Sequence, residues 1–163
     1  MFPDDIRQLA SRVVAAAVAK DILVVTAESC TGGLVSAALT AIPGSSAALD
    51  RGWVTYSNAA KSDLLGVPVA LLDTHGAVSE PVARAMADGA LARSGAKVSV
   101  SVTGVAGPGG GTRDKPVGLV HFAAAGPAGT IHVEHRFGDL GRDQIRLEST
   151  RVALGLLLDR IGA

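Results

Sequence analysis

Apolar residues recur at Ile6, Leu9, Val13 and Ala17, the spacing of one helix face, behind Pro3 and an acidic pair, Asp4 and Asp5, that suits a first turn. Residues 22–27 then form a short, β-branched run that is apolar on both faces, the pattern of a strand buried inside a sheet. Helical spacing returns over 32–42 and is stopped by Pro43 and Gly44. The stretch 49–56 reads as a strand, and 58–66 as a short helix closed by Gly66. Ser79 is placed to cap a helix whose first turn holds Glu80 and Pro81 and which runs to about Arg93. Residues 97–104 alternate as a strand. Two further strands, 116–125 and 130–137, are joined across the glycines at 126 and 129, and 142–161 forms a last amphipathic helix.

Helices and strands therefore alternate, with a hairpin late, and no internal repeat or long linker interrupts them. The expected fold is α/β: a single-domain layered sandwich over residues 1–163, with a mixed β-sheet flanked by helices. Composition sharpens this, because 48% of the residues are apolar but only 3% are aromatic, so the layers are built from Ala, Val and Leu and can pack closely. In such sheets ligands gather at the carboxyl ends of strands, where the sequence puts Ser29, Tyr56 and Thr103.

Charge removes some classes of function. Fifteen basic and fifteen acidic residues cancel, so the basic footprint of a nucleic-acid binder is absent and no nucleic-acid partner is expected. The opening residues lack a signal-peptide pattern and no apolar run approaches a membrane span, so no membrane partner is expected and the chain reads as cytoplasmic. A single cysteine cannot form an internal disulfide, which agrees with that compartment.

The stretch TAESCTGGL puts Ser29, Cys30 and Thr31 directly before Gly32 and Gly33, after a buried strand. A sharp turn into a helix there would set these groups at the positive helix end; an ordinary cap would look the same. Ser29 needs a base to become a nucleophile. His75, His121, His132 and His135 offer no Ser-His-acid pattern. Lys61 in TYSNAAK could serve if buried in a cleft, with Tyr56 or Ser57 holding its amine, or it could be a solvated surface lysine. The loop TGVAGPGGG, residues 103–111, is neither a Walker A loop nor a dinucleotide fingerprint; an anion nest and a plain connection both fit it. Arg142 and Arg146 share a helix face and could clamp a phosphate, or pair with Asp139 and Asp143 in solvent. Cys30 could attack, or simply pack. No histidine and carboxylate spacing suits a metal, and none is expected.

Taken in order, AESCTGG, PGSS, TYSNAAK, LLGV, HGAVSE, TGVAGPGGG and KPVG resemble the CinA C-terminal domain family, whose stand-alone members are nicotinamide-nucleotide amidases. The resemblance implies hydrolysis of the carboxamide of nicotinamide mononucleotide to nicotinate mononucleotide and ammonia, by a serine and a lysine, without a cofactor. By motif the serine is Ser29 and the lysine Lys61, with Tyr56 orienting the lysine. Backbone N–H groups near Thr31, Gly32 and Gly33 would hold the oxyanion. Thr103, Gly104 and Gly107 would contact the nucleotide, and Arg142 or Arg146 its phosphate. A homo-oligomer is left open. The alternative is a non-catalytic nucleotide-binding or regulatory module.

Overall fold

The computed structural model describes residues 1–162. Its centre is a five-stranded sheet in the order β2-β1-β3-β4-β5, made of β1 (Val24–Glu28), β2 (Leu49–Val54), β3 (Val98–Gly104), β4 (Leu119–Gly126) and β5 (Gly129–Arg136). β1 pairs in parallel with both β2 and β3, while β4 and β5 continue antiparallel, so the sheet is mixed as expected.

Helices α1 (Asp4–Ala19), α2 (Leu34–Thr40) and α6 (Arg142–Ile161) cover one face. Their apolar stripes, among them Ile6, Val13, Leu39, Ile145 and Leu157, close on Val100, Val102 and Phe122 of the sheet. The opposite face carries α3 (Asn58–Leu65), α4 (Val69–His75) and α5 (Glu80–Ala92), where Val82 and Met86 pack with Val25, Ala27 and Leu65.

The chain leaves β1 along one face through α2 and reaches β2, then crosses the other face through α3, α4 and α5 to reach β3. The connections diverge at the carboxyl end of β1, the topological switch point where a crevice opens between loops. Ser29 stands there.

Two local devices set the geometry of this crevice. Ser57 caps α3 by accepting the Ala60 N–H at 3.0 Å, and Gly66 closes the helix with a φ of 68°. Gly89 lets α5 lie directly on the end of α3, because a Cβ at that position would sit 1.9 Å from the Leu65 carbonyl oxygen. Lys61 is one turn before Leu65, so this contact fixes how far the lysine reaches.

Three sequence expectations are corrected. The helix expected over 32–42 begins only at Leu34, because Gly32 and Gly33 adopt positive φ in a tight turn. The strand expected to reach Tyr56 ends at Val54. Ser79 stands at the N-cap of α5 without capping it: its hydroxyl donates instead to the Gly76 carbonyl at 2.8 Å. Helix α4 has no counterpart among the elements expected from the sequence, its seven residues being too short for a periodic signal.

Candidate active site

The fully buried β1 ends in a charged residue, Glu28, whose side chain is completely inaccessible. Its carboxylate faces α2 and accepts the N–H groups of Gly33, Val35 and Ser36 at 2.9–3.0 Å, with hydroxyl donors from Ser36 at 3.0 Å and Thr26 at 3.2 Å. Five donors compensate the burial of one carboxylate. The positive end of α2 is thereby occupied by the protein itself and does not point at Ser29.

Ser29 follows at once, held by its own N–H to the Val102 carbonyl at 2.9 Å. Its hydroxyl lies 3.0 Å from the Nζ of Lys61, which also donates to the Thr55 carbonyl at 2.7 Å. Lys61 is only 1% exposed, and among the described residues no carboxylate pairs with it. Burial therefore pushes its pKa below the ordinary lysine value. Burial pushes the Cys30 thiol the other way, up to about 12, so the neighbouring sulfur is a packed thiol and not a ready nucleophile.

A cavity of about 240 Å³ opens in front of this pair. Ser29, Cys30 and Lys61 line it together with Ala77 and Val78 before α5, Thr103, Gly104 and Ala106 at the end of β3, and Tyr56 and Arg142. The three strand ends singled out in the sequence meet here. Thr103 donates its hydroxyl to the Ala77 carbonyl at 2.9 Å, joining two walls of the cavity. Arg142 reaches in from the first turn of α6, donating to the Gly107 carbonyl at 2.8 Å and the Tyr56 hydroxyl at 3.1 Å.

Several expected roles change. Tyr56 does not hold Lys61; its ring is largely exposed and its hydroxyl meets Arg142, while the backbone carbonyl of Thr55 orients the lysine. Gly32 and Gly33 cannot donate to an oxyanion, because their N–H groups are taken by the Ser29 carbonyl and by Glu28. The N–H groups of Cys30 and Thr31 have no protein acceptor among the described residues. Arg146, expected beside Arg142 on one phosphate, does not line the cavity; it donates to the carbonyls of Cys30 and Thr31.

The histidines stand apart from the cavity. His121 and His132 face each other on the hairpin of β4 and β5, Nδ1 to Nε2 at 2.9 Å, and neither lines the cavity. Among the described residues no group of three or more His, Cys, Asp or Glu side chains could hold a metal ion. No helix of the described residues is long and apolar enough to cross a membrane.

Comparison with known proteins agrees with this fold. The sequence profile described as the CinA C-terminal domain matches residues 6–161. A CinA-like protein of Anaeromyxobacter sp. (strain K) is 52% identical over 158 residues, which is 96% of this chain. Another, from Synechococcus sp. (strain RCC307), is 54% identical over 157 residues, again 96% of the chain. In both cases the chain spans 38% of the relative's length. The crystal structure of competence/damage inducible protein CihA from Agrobacterium tumefaciens superposes with a TM-score of 0.97 at 52% identity, covering 100% of this chain and 99% of the other. A competence-damaged protein (CinA) superfamily protein from Escherichia coli gives a TM-score of 0.90 at 34% identity, covering 97% and 92%.

Proposed function

We propose, from the premise that this chain belongs to the CinA C-terminal domain family, that it is an amidohydrolase acting on the carboxamide of nicotinamide mononucleotide. The observation that carries this reading is the buried Lys61 amine 3.0 Å from the Ser29 hydroxyl, without an acidic partner among the described residues. A lysine so placed loses its proton more readily than a solvated one and, once neutral, can take a proton from the serine at the moment of attack.

In this mechanism the Ser29 oxygen attacks the carboxamide carbon while its proton passes to the Nζ of Lys61. Negative charge develops on the carbonyl oxygen, and the N–H groups of Cys30 and Thr31, which have no protein acceptor among the described residues, are assigned to meet it. The lysine then returns the proton to the departing nitrogen, so ammonia leaves and an ester remains on Ser29. Water attacks that ester, its proton moves to Lys61 and on to the serine oxygen, and nicotinate mononucleotide is released with the enzyme regenerated. The Thr55 carbonyl keeps the amine aimed at the serine through both halves.

Arg142 is the cation of the cavity and is assigned to the nucleotide phosphate, for which it would exchange its contacts with Gly107 and Tyr56. Thr103 and Gly104 line the same space and are assigned to the nucleotide, whereas Gly107, expected with them, does not line it and meets the site only through its carbonyl contact with Arg142. The product places the reaction in pyridine nucleotide salvage.

The test is release of ammonia from nicotinamide mononucleotide by the purified chain. An amidase releases ammonia and nicotinate mononucleotide in equal amounts. A rise in thermal stability with the nucleotide and no ammonia would make the domain a binding module instead.

A further inference from the structure

Arg142 and Arg146 lie one turn apart on α6, yet they diverge. The first enters the cavity, while the second passes behind the nucleophile turn, its Nε 3.2 Å from the Cys30 carbonyl and its Nη2 3.0 Å from the Thr31 carbonyl. Gly32, with a φ of 59°, leaves room for this approach: a Cβ there would lie 3.3 Å from the same Nη2.

We propose that Arg146 is a positioning residue for the reaction, acting through the two peptide groups that follow Ser29. This rests on Ser29 being the nucleophile. A peptide unit is planar and trans, so its carbonyl and N–H point in opposite directions. Holding the Cys30 carbonyl toward α6 turns the Thr31 N–H away from it. Gly32 donates back to the Ser29 carbonyl at 3.0 Å, which fixes the peptide carrying the Cys30 N–H in the same way. The two unpartnered N–H groups assigned to the oxyanion thus owe their direction to one guanidinium and one glycine amide.

The fork of the guanidinium matters. Two donors at fixed separation can grip consecutive carbonyls, whereas a lysine ammonium on the same stem would hold one as a point charge. On the other side of the turn Glu28 ties Gly33, Val35 and Ser36 to the end of β1. Ser29 therefore sits between an anionic anchor and a cationic one, neither of which touches the cavity.

The experiment compares wild type, Arg146→Ala, Arg146→Lys and Arg142→Ala in two readouts. One is turnover of nicotinamide mononucleotide. The other is the rate at which a fluorophosphonate labels Ser29, whose oxygen displaces fluoride from phosphorus while its proton passes to Lys61; this readout is independent of the natural substrate. Arg146→Ala should lower both kcat and the labelling rate by ~100-fold, the scale of loss when a reacting group is displaced by about 1 Å. Its KM and its affinity for the nucleotide should be unchanged, and Arg146→Lys should fall between. Millimolar guanidinium chloride, far below denaturing levels, should restore labelling in Arg146→Ala and not turnover in Arg142→Ala.

Wild-type labelling by Arg146→Ala would overturn the proposal. So would a loss of affinity confined to the phosphorylated ligand, which would make Arg146 a phosphate contact. Losses in both Arg146 variants that follow only their melting temperatures, without rescue, would also overturn it by reducing the role to stability. A wild type labelled at Ser29 but releasing no ammonia would refute the proposed substrate and leave the positioning test standing. Absence of wild-type labelling at Ser29 would remove the nucleophile and this inference with it.

Discussion

Glu28→Gln changes one oxygen into an NH2 group and nothing in size, so its cost can be worked from the contacts of the carboxylate. Oε2 accepts the N–H groups of Gly33 and Val35, while Oε1 accepts Ser36 N–H and the hydroxyls of Ser36 and Thr26. If the amide nitrogen took the Oε2 position, two backbone donors would face a donor. The cheaper orientation puts it at Oε1. There the two hydroxyls, which are 2.5 Å apart, can turn to accept, and only Ser36 N–H is left without an acceptor. One buried orphan donor costs ~1–3 kcal/mol, and the two surviving bonds lose the charge assistance of a carboxylate at roughly 0.5–1 kcal/mol each. The sum is about 3 kcal/mol, which for a chain of this length lowers the melting temperature by about 6–12 °C. Thermal unfolding followed by circular dichroism at neutral pH reads it directly. A shift below about 2 °C would mean that the five contacts do not hold the end of β1 to α2 in solution, and the rigid nucleophile turn would lose its foundation.

Other expectations follow from the same contacts. Lys61→Met should abolish turnover while melting no lower than wild type at neutral pH, because it replaces a buried amine with an apolar chain of similar length; a large loss of stability would mean that the amine is a structural strut. Because the folded pKa of Lys61 is lowered, wild-type stability should rise with pH from that lowered value up to the ordinary ~10.4, where the unfolded chain still holds a proton the folded one has given up. Lys61→Met should lack that rise in a pH series of melts. Activity should likewise increase with pH through the same ionisation, and Lys61→Arg, which stays charged, should be nearly inactive; retained turnover would displace the lysine from its role as base. Arg142→Ala should weaken nicotinamide mononucleotide far more than the dephosphorylated nucleoside in a calorimetric titration, and equal losses would take the arginine off the phosphate.

Much of this was legible in the chain because it rests on local patterns. The long apolar stripe of α6 marks residues 142–161 without ambiguity, and Ser57 and Gly66 bracket α3 with a cap and a stop. The meeting of Ser29, Tyr56 and Thr103 followed from strand ends alone. What escaped depends on the third dimension. Glu28 reads as an ordinary polar residue ending a strand, and only its five donors make it an anchor; an acid set between a wholly buried strand and a glycine pair was the available signal. Arg142 and Arg146 share a face by spacing, but spacing cannot say that one side chain enters a cavity and the other runs behind a turn 115 residues away. Tyr56 was placed correctly at the cavity and given the wrong partner, since a backbone carbonyl such as that of Thr55 leaves no trace in residue types.

The most direct measurement is ammonia released from nicotinamide mononucleotide by wild type, Ser29→Ala and Cys30→Ala under one set of conditions. A serine nucleophile served by a buried lysine requires steady release by wild type and by Cys30→Ala, because the wild-type Cys30 thiol is buried and protonated. It requires none from Ser29→Ala, with nucleotide binding retained. Continued release by Ser29→Ala, or its loss in Cys30→Ala with the fold intact, would contradict it.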